Sequence, residues 1–182
     1  MTKLPSGLAR VLISEAEIEE RVNALAQQIS SDYAGRNRLY LVGILKGSFM
    51  FLADLARRLT IAHTVDFMAV TSYGRHGAKS GEVRLLMDLR EPILDADVLI
   101  VEDIVDTGKT LHYLHDTLEG RQPASLKTCA FVQKKRAQLP VTVDYLGFSI
   151  PDVWVVGYGL DYAERYRTLP YVAELDRSKY EE

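Results

Sequence analysis

The stretch Glu102-Asp103-Ile104-Val105-Asp106-Thr107-Gly108-Lys109-Thr110 concentrates the chemistry this chain displays. Two adjacent carboxylates and a third acid lead into a glycine set among hydroxyl and amine side chains. The preceding run Val98-Leu99-Ile100-Val101 is apolar throughout and suits a strand buried on both faces of a parallel sheet. Beyond it, Leu111, Leu114 and Leu118 recur at helical spacing. A strand, a short polar turn and a helix start form an anion site, because unpaired backbone N–H groups and the helix dipole converge there. In open α/β sheets ligands gather at the carboxyl ends of strands, where this turn falls. Gly-Lys-Thr does not complete a nucleoside-triphosphate P-loop, since that motif needs a glycine where Asp103 stands. Carboxylates beside a phosphate cradle repel anions unless they hold hydroxyls or a metal ion. The combination therefore suits a ligand with a diol at one end and a phosphate at the other, such as ribose 5-phosphate. Taken alone, Glu102 and Asp103 equally fit an acidic cap at a helix start.

The rest of the chain supplies elements to position this stretch. Ser14-Glu15-Ala16-Glu17 is a capping box, and Ile18, Val22, Leu25, Ala26 and Ile29 trace one apolar face of the helix it opens. That helix covers a sheet and carries no chemistry. Gly35 and Asn37 mark the turn into the first strand, Leu39 to Leu45. Leu45-Lys46-Gly47-Ser48 then opens a helix containing Phe49, Phe51, Leu52 and Leu55; it reads as a simple βα turn or as a second anion loop. Strands are expected at Val65–Thr71 and Val83–Leu89. Between them Ser72 to Gly81 reads as a hairpin loop or a lid. His112 and His115, with Asp116, lack a further ligand cluster and read as helix surface; Gly120 reads as the helix stop. Leu126–Val132 and Val143–Ile150 are further β runs, the first ending in Gln133-Lys134-Lys135-Arg136, a pattern usual for a solvated turn. Trp154, the sole tryptophan, stands at a strand start where burial in the core is expected. A last strand, Tyr171–Leu175, precedes a polar tail expected to fray.

Bulk properties bound the answer. With 182 residues, 47% hydrophobic and 26% charged, the sequence reads as one globular domain with no repeat, linker or low-complexity block. A net charge of −3 argues against a nucleic-acid surface. The single cysteine, Cys129, excludes an internal disulfide and reads as core filler in a reducing compartment. The start, Met1 to Pro5, lacks a signal pattern, and no apolar run reaches bilayer length, so the cytoplasm is the expected location and no membrane partner is expected.

The stretch at 102–110 resembles the phosphoribosyl-pyrophosphate motif of type I phosphoribosyltransferases, and its paired acids and Asp-Thr-Gly-Lys-Thr are most similar to the hypoxanthine-guanine phosphoribosyltransferase group. The resemblance extends from about Leu41 to Leu169. It implies an α/β fold with a mainly parallel twisted sheet flanked by helices, a core over about 36–140, and a small hood from about 141–182 plus the N-terminal segment. It implies transfer of phosphoribose from 5-phosphoribosyl 1-pyrophosphate to a 6-oxopurine, with Mg²⁺ as cofactor and a homodimer or homotetramer as the assembly. Residue by residue, it implies that Asp106 to Thr110 (Thr107, Gly108 and Lys109 between them) hold the 5-phosphate and that Glu102 and Asp103 attend the ribose, directly or through metal. Asp106 is the implied base. Lys46, Gly47 and Arg167 are implied to surround pyrophosphate, with Ser48 in the same turn and a strained peptide bond before Lys46. Lys134, Trp154, Val155 and Asp161 are implied to contact the purine, with Asp161 also ligating metal. Spacing from Asp161 favours Arg167 over Arg165. Ser72 and Tyr73 match the flexible lid. Three other readings share parts of this pattern: a non-catalytic regulator that binds nucleic acid, a transferase for xanthine or a pyrimidine, and a phosphate-signalling receiver domain. Lys134, Trp154, Asp161, Arg167 and the acidic balance weigh against the first, and the last gives no reason for the Leu45–Ser48 turn or for Trp154.

Overall fold

The apolar runs of the sequence settle into a six-stranded sheet in the computed structural model, which describes residues 4–73, 82–135 and 141–180. In chain order the elements are β1 (Leu8–Ile13), α1 (Glu15–Asp32), β2 (Leu39–Leu45), α2 (Phe49–Ala56), β3 (His63–Tyr73), β4 (Glu82–Met87), β5 (Asp97–Val105), α3 (Lys109–Glu119), β6 (Ser125–Lys134), β7 (Tyr145–Ile150), β8 (Val155–Val156) and β9 (Val172–Leu175). The large sheet runs β4-β3-β2-β5-β6-β7, with every pairing parallel except β3 with β4.

Strand alternation splits the core into two layers. On one face Leu41, Leu99, Val101 and Phe131 pack beneath Val22, Leu25 and Ile29 of α1 and Phe51, Leu52 and Leu55 of α2. On the other, Val42, Val98, Ile100 and Ala130 meet Leu111, Leu114 and Leu118 of α3. Covering both faces makes β2 and β5 apolar without alternation, as expected of central parallel strands. Cys129 is fully buried, and burial pushes its thiol far above the ordinary range, in keeping with filler. Among the described residues no helix is long and apolar enough to cross a membrane.

Several local expectations are met and several are corrected. The Ser14 capping box is present with both reciprocal hydrogen bonds. β1 lies upstream of the strand read as first: it pairs antiparallel with β9, which also pairs with β8, making a second three-stranded sheet. β4 ends at Met87 rather than Leu89, and β7 begins at Tyr145 rather than Val143. Of the tail expected to fray, Asp176 caps a 3₁₀ turn over Arg177–Lys179, and Tyr180 packs on Trp154. Trp154 itself is 45% exposed rather than buried. His115 departs from the surface reading, because its side chain tucks against β6 with Nε2 2.8 Å from the Thr128 hydroxyl. The lid residues Ser72 and Tyr73 end β3, their side chains lie outside the described residues, and so does the loop at 74–81.

Candidate active site

β5 runs past its last pairing with β2, Gly43 with Val101, and stays paired with β6 as far as Val105, into the stretch that sequence singles out. Glu102 and Asp103 lie within β5 near its carboxyl end. Gly108 takes φ +74° at the N-cap of α3, a conformation that costs glycine little and other residues about 1 kcal/mol or more. Among the described residues no side chain caps α3, and its first turn borders a cavity of about 200 Å³ lined by Glu102, Ile104, Val105, Asp106, Thr107, Gly108, Thr110 and Leu111. Lys109 is exposed and does not line it.

The paired acids are electrostatically costly as they stand. Burial, then the adjacent Asp103 carboxylate, raises the Glu102 carboxyl well above its ordinary range, and its Oε2 has no hydrogen-bond partner among the described residues. Burial likewise raises Asp103, to about 6. A cation or a ring of hydroxyls would relieve both, so the pair fits a divalent metal held jointly with ligand oxygens. Among the described residues no three His, Cys, Asp or Glu side chains gather to hold a metal unaided. Asp161 therefore stands apart from Glu102 and Asp103 as a potential ligand.

Two distant segments close around the acids. The Leu45–Lys46 peptide is cis, and the buried Ser48 hydroxyl donates to the Ile44 carbonyl at 2.6 Å, fixing the turn. A Cβ on Gly47 would fall 1.5 Å from Asp103 Oδ2, so only glycine permits this turn to touch the acid. A Cβ on Gly159 would fall 1.9 Å from the Gly47 carbonyl oxygen, which shows how closely the segment after β8 rides on the same turn. That segment carries Asp161, whose carboxylate pairs with Arg167 at 2.8 Å and accepts the Glu164 N–H at 2.9 Å. Arg167 also donates to the Gly159 carbonyl at 2.9 Å. Glu164, which sequence reasoning missed, lies 3.2 Å from Lys46 and 3.4 Å from Arg167. It has no sequence signal, because it reaches those cations only through positive φ angles at Ala163, Glu164 and Tyr166. Arg165 lines a different cavity with Ser6, Tyr166 and Lys179.

A second cavity, of about 220 Å³, adjoins the first and is lined by Asp103, Ile104, Asp106, Lys134, Trp154, Val155, Leu160 and Asp161. Lys134 ends β6 with its side chain 12% exposed, and its Nζ lies 3.6 Å from Asp106 Oδ2 and 3.1 Å from Asp152 Oδ1. Lys135 is exposed and does not line the cavity. Trp154 is braced edge-on by Tyr162 and across a 32° tilt by Tyr180, with centroids 5.7 and 5.6 Å away. Leu160, Asp152 and Tyr180 had no individual mark in the sequence; each arrives through tertiary packing.

Comparison with known proteins agrees with this geometry. The family model described as phosphoribosyl transferase domain matches residues 13–163. The chain is 48% identical over 174 residues to a hypoxanthine-guanine phosphoribosyltransferase of Dictyostelium discoideum, covering 93% of this chain and 97% of that one. It is also 48% identical to the hypoxanthine phosphoribosyltransferase of Escherichia coli strain K12, covering 91% and 94%. A Trypanosoma cruzi hypoxanthine phosphoribosyl transferase structure superposes with a TM-score of 0.91 at 41% identity, covering 98% of this chain and 97% of that one. With an anion corner at a strand end, paired acids beside it and a matching family model over most of its length, the chain belongs to the phosphoribosyltransferase family.

Proposed function

We propose that this protein transfers phosphoribose from 5-phosphoribosyl 1-pyrophosphate to hypoxanthine or guanine, releasing pyrophosphate and forming IMP or GMP in purine salvage. The observation that carries the reading is the pairing of Lys134 Nζ with Asp106 Oδ2, 3.6 Å apart on the wall of one cavity. The 6-oxygen and N7 of a 6-oxopurine sit side by side on one edge of the ring. A fixed cation beside a carboxylate matches that edge, with Lys134 donating to the oxygen and Asp106 accepting the N7 proton. An adenine amino group would face the Lys134 donors with a donor of its own, which selects against adenine.

Backbone N–H groups of residues 106–110 hold the 5-phosphate, with the Thr107 and Thr110 hydroxyls; Lys109 contributes main chain only. Glu102 and Asp103 hold the ribose hydroxyls and stabilise positive charge on the anomeric carbon as its bond to pyrophosphate breaks. The purine N9 forms the new bond to that carbon, and Asp106 takes the proton released from N7. Lys46, Gly47 and Arg167 receive the departing pyrophosphate, for which Glu164 must release the two cations. Trp154 stacks on the base, and Val155 and Asp161 border its edge. Glu102 and Asp103 together, and Asp161 apart from them, are the residues that would hold Mg²⁺ jointly with ligand oxygens, and Mg²⁺ when bound would supply neutralising charge for the leaving group. The small sheet β1-β9-β8 acts as the hood over a core of about 36–140 within one unit, Ser72 and Tyr73 belong to the lid, and the working form is a cytoplasmic homodimer or homotetramer.

One assay tests the reading. Incubated with Mg²⁺ and phosphoribosyl pyrophosphate, the protein should form nucleotide from hypoxanthine or guanine and none from adenine. Nucleotide formed only from a pyrimidine, or from no base, would remove the assignment.

A further inference from the structure

Lys134 has a second acidic neighbour for which the reaction gives no use. The β6–β7 register pairs Lys134 with Ile150, and the Lys135 N–H donates to the Ile150 carbonyl at 2.9 Å, so both strands end level. Pro151 then stops the ladder, and the Val153 N–H folds back onto the Pro151 carbonyl at 2.9 Å. That tight turn delivers Asp152 beside the end of β6, with Oδ1 3.1 Å from Lys134 Nζ. Asp152 is half-exposed and is absent from the cavity wall, while Lys134 is nearly buried in it. The acid therefore touches the ammonium from outside the site.

We propose that Asp152 is a positioning residue for base recognition, holding Lys134 away from Asp106 so that the ammonium meets the 6-oxygen of the purine. An ammonium carries three donors on a flexible stem. Facing Asp106 alone, it would close onto that carboxylate and occupy the acceptor needed for the N7 proton. With Asp152 also in reach, the nearer contact is to Asp152 at 3.1 Å, and Asp106 stays 3.6 Å away. The inference rests on the proposed role of Lys134 in reading the base.

A double-mutant cycle with steady-state kinetics tests it. Asp152→Ala should raise KM for hypoxanthine about fivefold, the order expected for a half-exposed ion pair, while KM for phosphoribosyl pyrophosphate and kcat stay within about twofold. Asp152→Glu should recover most of the loss. In a Lys134→Met background the same Asp152→Ala change should do nothing further to KM for hypoxanthine. An Asp152 effect that persists without the lysine, or that raises both KM values together, would overturn the inference and leave a structural role for the turn. An unchanged KM in Asp152→Ala beside a raised one in Lys134→Met would overturn it while sparing the base-site reading. An unchanged KM in Lys134→Met would sink both.

Discussion

The two adjoining cavities are built in opposite ways. The proposed phosphate corner comes from one unbroken segment, residues 102–111, and would act through main-chain N–H groups that any sequence of suitable backbone could offer. The proposed base cavity is assembled from the ends of β5 and β6, the start of β8 and the segment after it, and would act through side chains. A main-chain site depends on conformation at a few positions, whereas a side-chain site depends on elements far apart in sequence arriving in register. Asp106 is the joint between them, lining both cavities.

That joint should show the largest response to substitution. Asp106→Asn is expected to lower kcat by about 10²–10⁴-fold with hypoxanthine while the melting temperature holds, since its side chain is 44% exposed. Normal turnover would mean the two cavities do not share a catalytic group. Trp154→Ala should raise KM for the base about tenfold, in line with the worth of one stacked base, and leave that for phosphoribosyl pyrophosphate little changed. Movement of both constants would blur the division proposed between the cavities. Gly108→Ala, at φ +74°, should do the converse in steady-state kinetics, raising KM for phosphoribosyl pyrophosphate about fivefold and leaving that for hypoxanthine little changed, through the cost of forcing alanine into the left-handed region.

The smallest effect is on stability. Because the folded-state carboxyls of Glu102 and Asp103 are raised, the native protein holds protons the unfolded chain has released, and its stability falls as pH rises from the ordinary carboxylate range through about 6 for Asp103, with Glu102 adding a loss in the same direction. Glu102→Gln removes that repulsion. At pH 7 without metal it should melt about 2–4 °C higher than the parent protein, a gain of about 1 kcal/mol. The advantage should shrink toward pH 4, where the parent pair is protonated. A variant that melts lower at neutral pH would show that the buried pair is satisfied by something other than a ligand.

Legibility in the sequence followed the same division. The central strands and the three helices were readable because burial on both faces leaves unbroken apolar runs, and amphipathic faces repeat at helical spacing. Short β1 escapes sequence reading, since Arg10 interrupts a run of only six residues and pairing with β9 is what makes it a strand. Trp154 was misplaced into the core because an isolated aromatic carries no sign of whether a cavity lies beside it. The tail was read as frayed because a 3₁₀ turn capped by Asp176 leaves little signal, and packing of Tyr180 on Trp154 leaves none.

By itself the sequence determined the anion corner, because strand, turn, glycine and helix start are contiguous and local backbone preferences fix their geometry. Tertiary structure alone decided that Gly47 touches Asp103, that Gly159 rides on Gly47, and that Lys134 stands between Asp106 and Asp152. Those contacts join residues from 18 to 112 positions apart, and their distances are set by parallel register and by close approach of two backbones.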